Sequence, residues 1–455
     1  MQGHVLGLVV TGGSGPLDGL GIANDSALTP FAGKYRFIDF ALATATNSGI
    51  GPVYVAASRP SAALHAHLGC AARAGAQVRR PCPVPLPGSR RAGGRTARLV
   101  RALAGTAHLV RHHRAQAVVV LTADHILQLD LRQLLEAHAR LAADVTLVTL
   151  PVPAAEGRRH TVLEIAADRH VVDVPRAAAD RSLPSPRGSA CAWTGDLVVS
   201  AGAVERLLAV ARAEDHELLG VLVRRLAVAA YDGLDNRIPG APAGTYWHDP
   251  TTLEAYYEAQ MDLCTPRPAL DLYNVAWPLL PVPSGLGPAK VVADAAGHAG
   301  QALNSLVSDG AIIRGGAVLN TVVGHGVVVE SGAEVEDSVL LDGCRIGRGA
   351  RVRRAVVGAG AVIGAAGEIG YGPSPAAPAR VVPSGLTLVP PVAESDLAAA
   401  SASRPEGPFS GWSRGAAAPS PAPREGRSRE GSPRPRTPDE FRSRPPRQHG
   451  ARGSA

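Results

Sequence analysis

The sequence predicts an α/β domain with a Rossmann-like sheet, followed by a left-handed parallel β-helix. Up to about residue 280, short valine-rich runs alternate with helical patterns, which is typical of a mostly parallel sheet covered on both faces. From about 303 to 370, apolar residues recur every six positions. That period belongs to β-helices built from hexapeptide rungs rather than to α-helices or ordinary strands. The expected boundaries are 1–285 for the first domain and 286–391 for the second.

Four strands and two helices can be assigned within the first domain. Apolar runs bounded by turn residues predict the strands, at 5–11, 51–57, 117–123 and 145–152. The leucines of "LRQLLEAHARLA" (131–142) have helical spacing and predict an amphipathic helix. In "TTLEAYYEAQMDL" (251–263), Thr251 stands three residues before Glu254, which predicts a capped helix start.

The six-residue period also assigns side chains to the interior of the β-helix. Each side of a rung should bury one large residue and, two positions earlier, a compact one. The large residues are expected at Ile313, Leu319, Val323, Val329, Val335, Leu340, Ile346, Val352, Val357 and Ile363. The compact residues are expected at Ala317, Val327, Ala333, Cys344, Ala350 and Ala361.

Positive charge is concentrated at the C-terminus. The chain has a formal net charge of +7, and residues 401–455 hold 11 arginines and 5 acidic residues, so 11 − 5 = +6 lies in that segment. Residues 392–455 are rich in Pro, Arg, Ser and Gly with few apolar residues, so we expect a disordered tail. Arginine-rich tails can bind polyanions, but the interleaved Pro, Glu and Asp favour a solvated extension, and we expect no nucleic acid partner.

Cysteine usage and the N-terminus indicate a cytoplasmic protein. The five cysteines are scattered without metal-ligand spacing, which suits reduced thiols. The start "MQGHVLGLVVTGG" has no basic segment and no cleavage site, and its apolar run is too short to span a bilayer. We therefore expect no membrane partner.

Several motifs, in a fixed order, resemble those of bacterial ADP-glucose pyrophosphorylase, that is, glucose-1-phosphate adenylyltransferase. They are "FAGKYRFIDF", "ADH", "YWHDPTTLEAYYEAQMDL" and "RPALDLYNVAWP", and the resemblance covers roughly residues 3–390. It implies a nucleotidyltransferase domain that binds ATP and glucose 1-phosphate and, if active, uses Mg²⁺ to make ADP-glucose and pyrophosphate. It also implies a role in glycogen or other α-glucan synthesis, and assembly as a homotetramer or with a competent pyrophosphorylase.

The resemblance assigns roles to individual residues. Asp124, in "LTADHI", follows a predicted strand at the end where α/β sheets bind ligands, and it matches the family's metal-binding aspartate. Asp249, in "YWHDPTT", matches the second such aspartate. The glycines of "TGGSG" would let the backbone approach the triphosphate closely; they are Gly12, Gly13 and Gly15.

Further positions correspond to the sugar-phosphate and regulatory sites of the family. Asp173 falls in the segment that grips the sugar phosphate, and His248 replaces the arginine of the family's "YWRD". Lys34, in "FAGKYRF", aligns with a lysine that in some members lies in the allosteric activator site between the catalytic domain and the β-helix.

The sequence departs from the family where the phosphates should bind. No arginine follows the glycine loop, and the two segments that carry the family's catalytic lysines read "NDSA" (24–27) and "DVP" (173–175). The chain has only two lysines, Lys34 and Lys290, so neither catalytic lysine exists. Each loss removes a charge-assisted contact from a closed site. The family's "GTADA" reads "RTARL" (95–99), where Arg95 or Arg98 could supply a replacement cation.

Three functions remain open at this point. The residues favour a catalytically impaired homologue that assembles through its β-helix with a competent pyrophosphorylase and regulates it. The resemblance favours the family's own activity, carried out by a remodelled site. A third possibility is acyl transfer on the β-helix with His325 as general base, although the sequence shows no substrate loop for it.

Overall fold

The computed structural model describes residues 4–11, 25–57, 61–74, 82–85, 95–153, 156–175, 189–210, 218–241, 244–250, 252–372 and 379–391. The predicted phosphate loop with Gly12, Gly13 and Gly15 lies outside these residues, and so does the predicted tail at 392–455. None of the helices in the described ranges has the length and apolar character needed to cross a membrane.

The first part of the chain has α/β architecture. Its described strands are β1 (Val5–Thr11), β2 (Pro30–Phe31), β3 (Tyr35–Arg36), β4 (Val53–Ala57), β5 (Cys82–Pro85), β6 (Ala117–Thr122), β7 (Ile126–Gln128), β8 (Val145–Pro153), β9 (Glu164–Ile165), β10 (Val171–Asp173), β11 (Ser189–Ser200), β12 (Val228–Asp232) and β13 (Tyr246–His248). Its described helices are α1 (Phe37–Asn47), α2 (Ala62–Ala74), α3 (Arg95–His112), α4 (Leu131–Leu141), α5 (Ala201–Val210), α6 (Leu218–Arg225) and α7 (Leu253–Asp262).

Seven of these strands form one mixed sheet, in the order β12-β8-β11-β6-β1-β4-β5. The four predicted strands are present as β1, β4, β6 and β8, and the two predicted helices as α4 and α7. All neighbours in the sheet are parallel except β11, which runs antiparallel to β6 and β8. The sheet is therefore mostly parallel, with one reversed strand in its middle.

Helices cover both faces of this sheet. Side chains alternate along a strand, and β1 accordingly sends Leu6, Leu8 and Val10 into a core shared with α3, α5 and α6. Val9 of the same strand faces the opposite core, shared with α1, α2 and α4. The near-continuous apolar sequence of β1 is explained by this burial on both sides.

A β-helix follows in the second part. Its strands are β14 (Lys290–Val292), β15 (Gln301–Leu303), β16 (Leu306–Val307), β17 (Ile312–Arg314), β18 (Ala317–Leu319), β19 (Val322–Val323), β20 (Val328–Val329), β21 (Glu334–Glu336), β22 (Val339–Leu340), β23 (Arg345–Ile346), β24 (Arg351–Arg353), β25 (Ala355–Val357), β26 (Val362–Ile363), β27 (Glu368–Ile369), β28 (Arg380–Val381) and β29 (Thr387–Val389). They form three sheets, ordered β14-β17-β20-β23-β26, β15-β18-β21-β24-β27 and β16-β19-β22-β25-β29-β28. Successive rungs pair in parallel, and among the described strands of the β-helix only β28 and β29 pair in the antiparallel sense.

Two interior positions of the β-helix, both in β18, were predicted wrongly: Ala317 is only partly buried, and Leu319 does not face the interior. Leu319 is 38% exposed, and the neighbouring Val318 fills the interior instead. The corner between β17 and β18 contains only Gly315 and Gly316, whereas the corner between β20 and β21 contains residues 330–333. The shorter corner moves the inward position one residue earlier, and a shift of one residue exchanges the two faces of a strand. The other nine large residues predicted for the interior are buried.

Helix α7 joins the α/β part to the β-helix. It begins after Thr252, one residue later than the predicted cap Thr251, because the Thr252 hydroxyl accepts a hydrogen bond from the Ala255 amide. The Tyr256 hydroxyl donates to the Pro30 carbonyl on one side at 2.7 Å, and the Tyr257 hydroxyl donates to the Asp337 carbonyl of the β-helix at 2.7 Å. The helix is thus hydrogen-bonded to both parts.

Candidate active site

Asp124 lies just beyond the carboxyl end of β6, at the position expected from the sequence. The strand is buried along its whole length and ends at Thr122. Two residues later the Asp124 side chain emerges, still largely buried. Ligands of α/β proteins bind beyond such strand ends, so this edge of the sheet is the natural place for the site.

The pairing of two short strands brings Asp249 to the same edge. β13 runs antiparallel to β7, with His248 opposite Ile126. Asp249 directly follows His248, and Asp124 precedes Ile126 by two residues. This register places the two aspartates close enough for one side chain, that of Arg95, to contact both.

Two arginines from the first turn of α3 face these aspartates. Arg95 Nε lies 3.4 Å from Asp124 Oδ2, and Arg95 Nη2 lies 3.1 Å from Asp249 Oδ2. Arg98 Nη2 lies 2.9 Å from Asp124 Oδ2. Residues three apart in a helix share one face, which is why both guanidinium groups point at the same carboxylate.

A register shift in β11 forms the remaining side of the space around Arg95. The pairing of β11 with β8 shifts register between Trp193 and Leu197. In that segment the Thr194 carbonyl accepts a hydrogen bond from Arg95 Nη1 at 3.2 Å. Gly195 has φ +108°, and a Cβ there would lie 2.9 Å from Arg95 Cδ. The local backbone therefore needs glycine, both for its conformation and for the space that Arg95 fills.

A fully buried histidine links Asp124 to a third carboxylate. His125 Nδ1 lies 3.2 Å from Asp124 Oδ1, and its Nε2 lies 3.0 Å from Asp196 Oδ2. The second contact is an ion pair without the alignment of a hydrogen bond. Asp196 also accepts a hydrogen bond from the Thr122 amide at 2.8 Å. Burial lowers the pKa of His125, but Asp196 and Asp124 outweigh burial and raise that pKa above its ordinary value.

The same charges fix the ionisation of Asp124 and Arg95. Burial raises the pKa of the Asp124 carboxyl, but Arg95, His125 and Arg98 outweigh it and hold this pKa well below its usual range. Burial likewise lowers the pKa of Arg95, and the carboxylates of Asp124 and Asp249 more than reverse the effect. Asp124, Arg95 and His125 therefore all stay charged at neutral pH.

As they stand, Asp124 and Asp249 do not fit the Mg²⁺ ion that the family resemblance implies. Carboxylate oxygens are suitable ligands for this ion, but the Oδ2 atoms of both residues are already in contact with Arg95. Within the described ranges, no group of three or more His, Cys, Asp or Glu side chains converges in a way that could hold a metal ion.

The two residues predicted to contact the sugar phosphate make their hydrogen bonds outside this cluster. Asp173 ends β10, is exposed, and accepts a hydrogen bond from the Val174 amide at 2.8 Å. His248 is half-buried, and its Nε2 donates to the Ala255 carbonyl in α7 at 2.8 Å. Burial lowers the pKa of His248, so its imidazole is neutral at neutral pH and offers no positive charge to a phosphate.

Lys34 lies at the contact with the β-helix. It belongs to the turn between β2 and β3, and its Nζ is 3.8 Å from Asp309 Oδ2. Arg36, two residues later, forms an ion pair with Asp342. His325 lies in the same region, with Nδ1 3.4 Å from the Asp309 carbonyl and its own amide donating to Asp342. None of these contacts involves the Asp124 cluster.

Reasoning from the sequence missed three members of the cluster: His125, Asp196 and His160. His125 belongs to the "ADH" motif that carries part of the family resemblance, but no role was given to it. Asp196 interrupts the apolar run of β11, and a carboxylate inside a buried strand is a signal that could have found it. His160, whose Nδ1 lies 3.8 Å from Asp249 Oδ2, is in a polar loop without any such signal.

Comparisons with known proteins agree with this architecture. A family model described as nucleotidyl transferase matches residues 6–265, and one described as GlmU-like, C-terminal hexapeptide matches residues 287–389. The glucose-1-phosphate adenylyltransferase of Frankia casuarinae is 36% identical over 359 residues, which cover 76% of this chain and 87% of the relative. That of Deinococcus radiodurans is 33% identical over 364 residues, covering 76% and 88%. That of Thermus thermophilus is 34% identical over 338 residues, covering 69% and 80%.

These relatives match over most of their own length, and both family models fall on the parts of the chain where the α/β sheet and the β-helix are observed. The strand end that bears Asp124 and the β-helix contact of Lys34 lie within the matched regions. The chain therefore belongs to the glucose-1-phosphate adenylyltransferase family, of which it is a divergent member.

Proposed function

We propose that this chain is a catalytically impaired member of the family, which regulates a competent glucose-1-phosphate adenylyltransferase in the synthesis of ADP-glucose and glycogen or another α-glucan. Its partner would be a second, competent pyrophosphorylase, bound through the β-helix in a hetero-oligomer. A homotetramer is the alternative assembly. The cytoplasmic location expected from the sequence belongs to the same proposal.

The position of the lysines is the observation that carries this proposal. The whole chain has two lysines, Lys34 and Lys290. Lys34 pairs with Asp309 of the β-helix, and Lys290 is an exposed residue of β14. Neither contacts Asp124 or Asp249. In-line transfer of a nucleotidyl group requires cations placed where charge develops on the phosphates, and no lysine of this chain is available for that task.

The arginines of α3 support the same proposal. The guanidinium groups of Arg95 and Arg98 lie beside Asp124, but both are engaged with carboxylates. An arginine already paired with an aspartate must break that ion pair before it can bind a phosphate. Breaking the pair costs free energy, and an unpaired lysine would not have this cost. Binding of ATP and glucose 1-phosphate is therefore expected to be weak.

A regulatory role is supported by the junction between the two parts of the chain. The hairpin of β2 and β3 contacts the β-helix through the Lys34–Asp309 and Arg36–Asp342 pairs. By resemblance, Lys34 lies where some family members bind an allosteric activator. The chain keeps this lysine while it lacks the catalytic ones, as expected if regulation is the function that persists.

Pyrophosphate release is the first test. The purified chain is incubated with Mg²⁺, ATP and glucose 1-phosphate, beside an Asp124→Asn control. We expect no release above the control. The chain is then mixed with a competent glucose-1-phosphate adenylyltransferase from the same source, and we expect a mixed oligomer on size-exclusion chromatography and a changed response of the partner to its effectors. Absence of both effects would exclude the regulatory role.

The second candidate is the family's own activity in a remodelled site. The observation in its favour is the presence of two guanidinium groups beside Asp124, which on this reading bind the phosphates in place of lysines. In that case the chain alone releases pyrophosphate, and Asp124→Asn abolishes the release. No contact of His325 favours acyl transfer by the β-helix.

A further inference from the structure

The side chain of Arg95 lies between two carboxylates that come from distant parts of the chain. Asp124 follows β6 and Asp249 follows β13, and the sequence separates them by 125 residues. Arg95 Nε contacts the first at 3.4 Å and Arg95 Nη2 contacts the second at 3.1 Å, both at Oδ2. One cationic group thus contacts both of the carboxylates that the family resemblance assigns to the metal ion.

We propose that the Arg95 guanidinium replaces the divalent cation in this site, so that the folded chain holds Asp124 and Asp249 together without a metal and excludes Mg²⁺ and Mn²⁺ from them. This inference rests on the proposed function, because exclusion of the metal would explain part of the impaired catalysis. It is tested by metal binding in the absence of nucleotide, so the inference and the proposed function can fail separately.

Charge balance supports the replacement. Two guanidinium groups, Arg95 and Arg98, face the two carboxylates Asp124 and Asp249. The charges of these four groups sum to zero, so the groups offer no excess negative charge to a divalent ion. A metal ion held by these two carboxylates would also lie next to a fixed positive charge in a largely buried site, where repulsion is strong.

The surroundings hold Arg95 in this position from its other side. Arg95 Nη1 donates to the Thr194 carbonyl at 3.2 Å, so each of its three nitrogens has an acceptor. The Cδ atom fills the space over Gly195, where a Cβ would come within 2.9 Å. An arginine held by three acceptors and by packing on its stem is a built part of the site rather than a surface side chain that happens to lie nearby.

Arg98 provides a matched control. It is the same residue type, in the same turn of α3, and it contacts Asp124 but not Asp249. Neutralising Arg98 removes one positive charge from the cluster without opening the space between the two carboxylates. If charge alone excluded the metal, Arg95 and Arg98 would be equivalent, whereas replacement of the cation by Arg95 predicts that they differ.

The experiment is a Mn²⁺ titration of the full chain without nucleotide, followed by electron paramagnetic resonance of the free ion, with Mg²⁺ as competitor. We expect no saturable binding by the wild type at any Mn²⁺ concentration tested. Arg95→Gln should bind one Mn²⁺ per chain saturably, with a Kd at least about tenfold below the highest concentration at which the wild type shows no binding, since a like charge has been removed and two carboxylates freed. Arg98→Gln should behave like the wild type. The Arg95→Gln/Asp249→Asn double variant should lose the gained binding.

Two results would overturn the inference. The first is saturable Mn²⁺ binding by the wild type that disappears in Asp249→Asn. The second is failure of Arg95→Gln to bind Mn²⁺ although its circular dichroism matches the wild type. Should Arg95→Gln not fold, Arg95→Met keeps the aliphatic stem beside Gly195 and repeats the test. If neither Arg95 variant folds, the inference is decided by comparing the Mn²⁺ titrations of the wild type and Asp249→Asn. Pyrophosphate release with unchanged Mn²⁺ results would refute the proposed function alone.

Discussion

Gly195 lies in the irregular segment of β11, directly beside the side chain of Arg95. Its φ of +108° belongs to a region that residues with a Cβ rarely adopt. A Cβ would also meet Arg95 Cδ at 2.9 Å and Thr122 Oγ1 at 3.0 Å. Backbone conformation and packing thus both require glycine at this position. The irregular segment of β11 therefore helps to hold Arg95 between the two aspartates.

Gly195→Ala should therefore destabilise the protein. We expect a loss of about 2–3 kcal/mol in the free energy of unfolding, because the alanine is strained at this φ and displaces Arg95. The control is Gly202→Ala in α5, where an added Cβ meets nothing within 4 Å and a gain of up to about 1 kcal/mol is expected from helix propensity. Urea unfolding of both variants measures the difference. Equal stabilities would refute the strain argument.

His138 is a buried histidine of α4 that the site does not use. Its Nδ1 lies 2.7 Å from Thr146 Oγ1 and its Nε2 lies 2.9 Å from Ser200 Oγ. Burial lowers its pKa below the ordinary value of 6.5, and Asp144 offsets this only in part. His138 therefore binds a proton less readily in the folded chain than in the unfolded chain.

The sign of the resulting pH dependence follows from linkage. A depressed pKa means that the unfolded state binds more protons below pH 6.5, so the stability contributed by neutral His138 is complete above that pH and is lost as the pH falls toward the folded-state pKa. The wild type should lose more stability between pH 7 and pH 5 than His138→Gln does. Urea midpoints at several pH values give the comparison, and parallel curves would contradict it.

At the scale of elements, the β-helix shows how much of the fold can be predicted from sequence. A six-residue period identified the rungs because each side of a rung buries one large side chain, and that requirement repeats from one side to the next. It failed at Leu319, because corner length is set by Gly315 and Gly316 rather than by the apolar period. In the α/β part, continuous apolar runs identified β1, β4, β6 and β8 well, since burial on both faces leaves a clear pattern.

The candidate site was harder to predict for a physical reason. Asp124 could be located because it follows a recognisable strand. Its partners Arg95 and Asp249 come from other elements, and only the pairing of β13 with β7 and the orientation of α3 bring them together. Patterns along the chain identified Arg95 and Arg98 as candidate cations. They contained no information on whether the counterion of either arginine would be a phosphate or a carboxylate.

A pair of substitutions tests the register of the β-helix. Ile346 is fully buried, whereas Leu319 is 38% exposed. Ile346→Ala should cost about 3 kcal/mol through lost burial and the cavity left behind, and Leu319→Ala should cost less than about 1 kcal/mol. Chemical unfolding of the two variants measures the costs. A large loss for Leu319→Ala would mean that this leucine, and not Val318, faces the interior.

At the scale of the whole molecule, one apolar core is shared by the α/β part and the β-helix. It includes Phe31, Phe37 and Tyr256 from the first part, and Val322 and Val339 from the second. The ion pairs of Lys34 with Asp309 and of Arg36 with Asp342 link the same two parts. Since neither part can expose this core without loss of burial in the other, folding of the two should be coupled.

Tyr256 is the residue on which that coupling can be tested. It is fully buried, its ring packs near Phe37, and its hydroxyl donates to the Pro30 carbonyl at 2.7 Å. Tyr256→Ala should cost about 3–5 kcal/mol, as for other large aromatic truncations in a core. Because the lost contacts lie in the shared core, we expect one calorimetric transition for the wild type and two for Tyr256→Ala.

The control is Tyr231→Ala, a truncation of a buried tyrosine in the core between the sheet and α4. It should lower the melting temperature without splitting the transition, since its packing lies within the α/β part alone. Splitting in both variants would mean that loss of stability in general, and not loss of the shared core, separates the two parts. A single transition in Tyr256→Ala would show that the ion pairs and the other contacts of α7, including Tyr257 with Asp337, suffice to keep them folded as one unit.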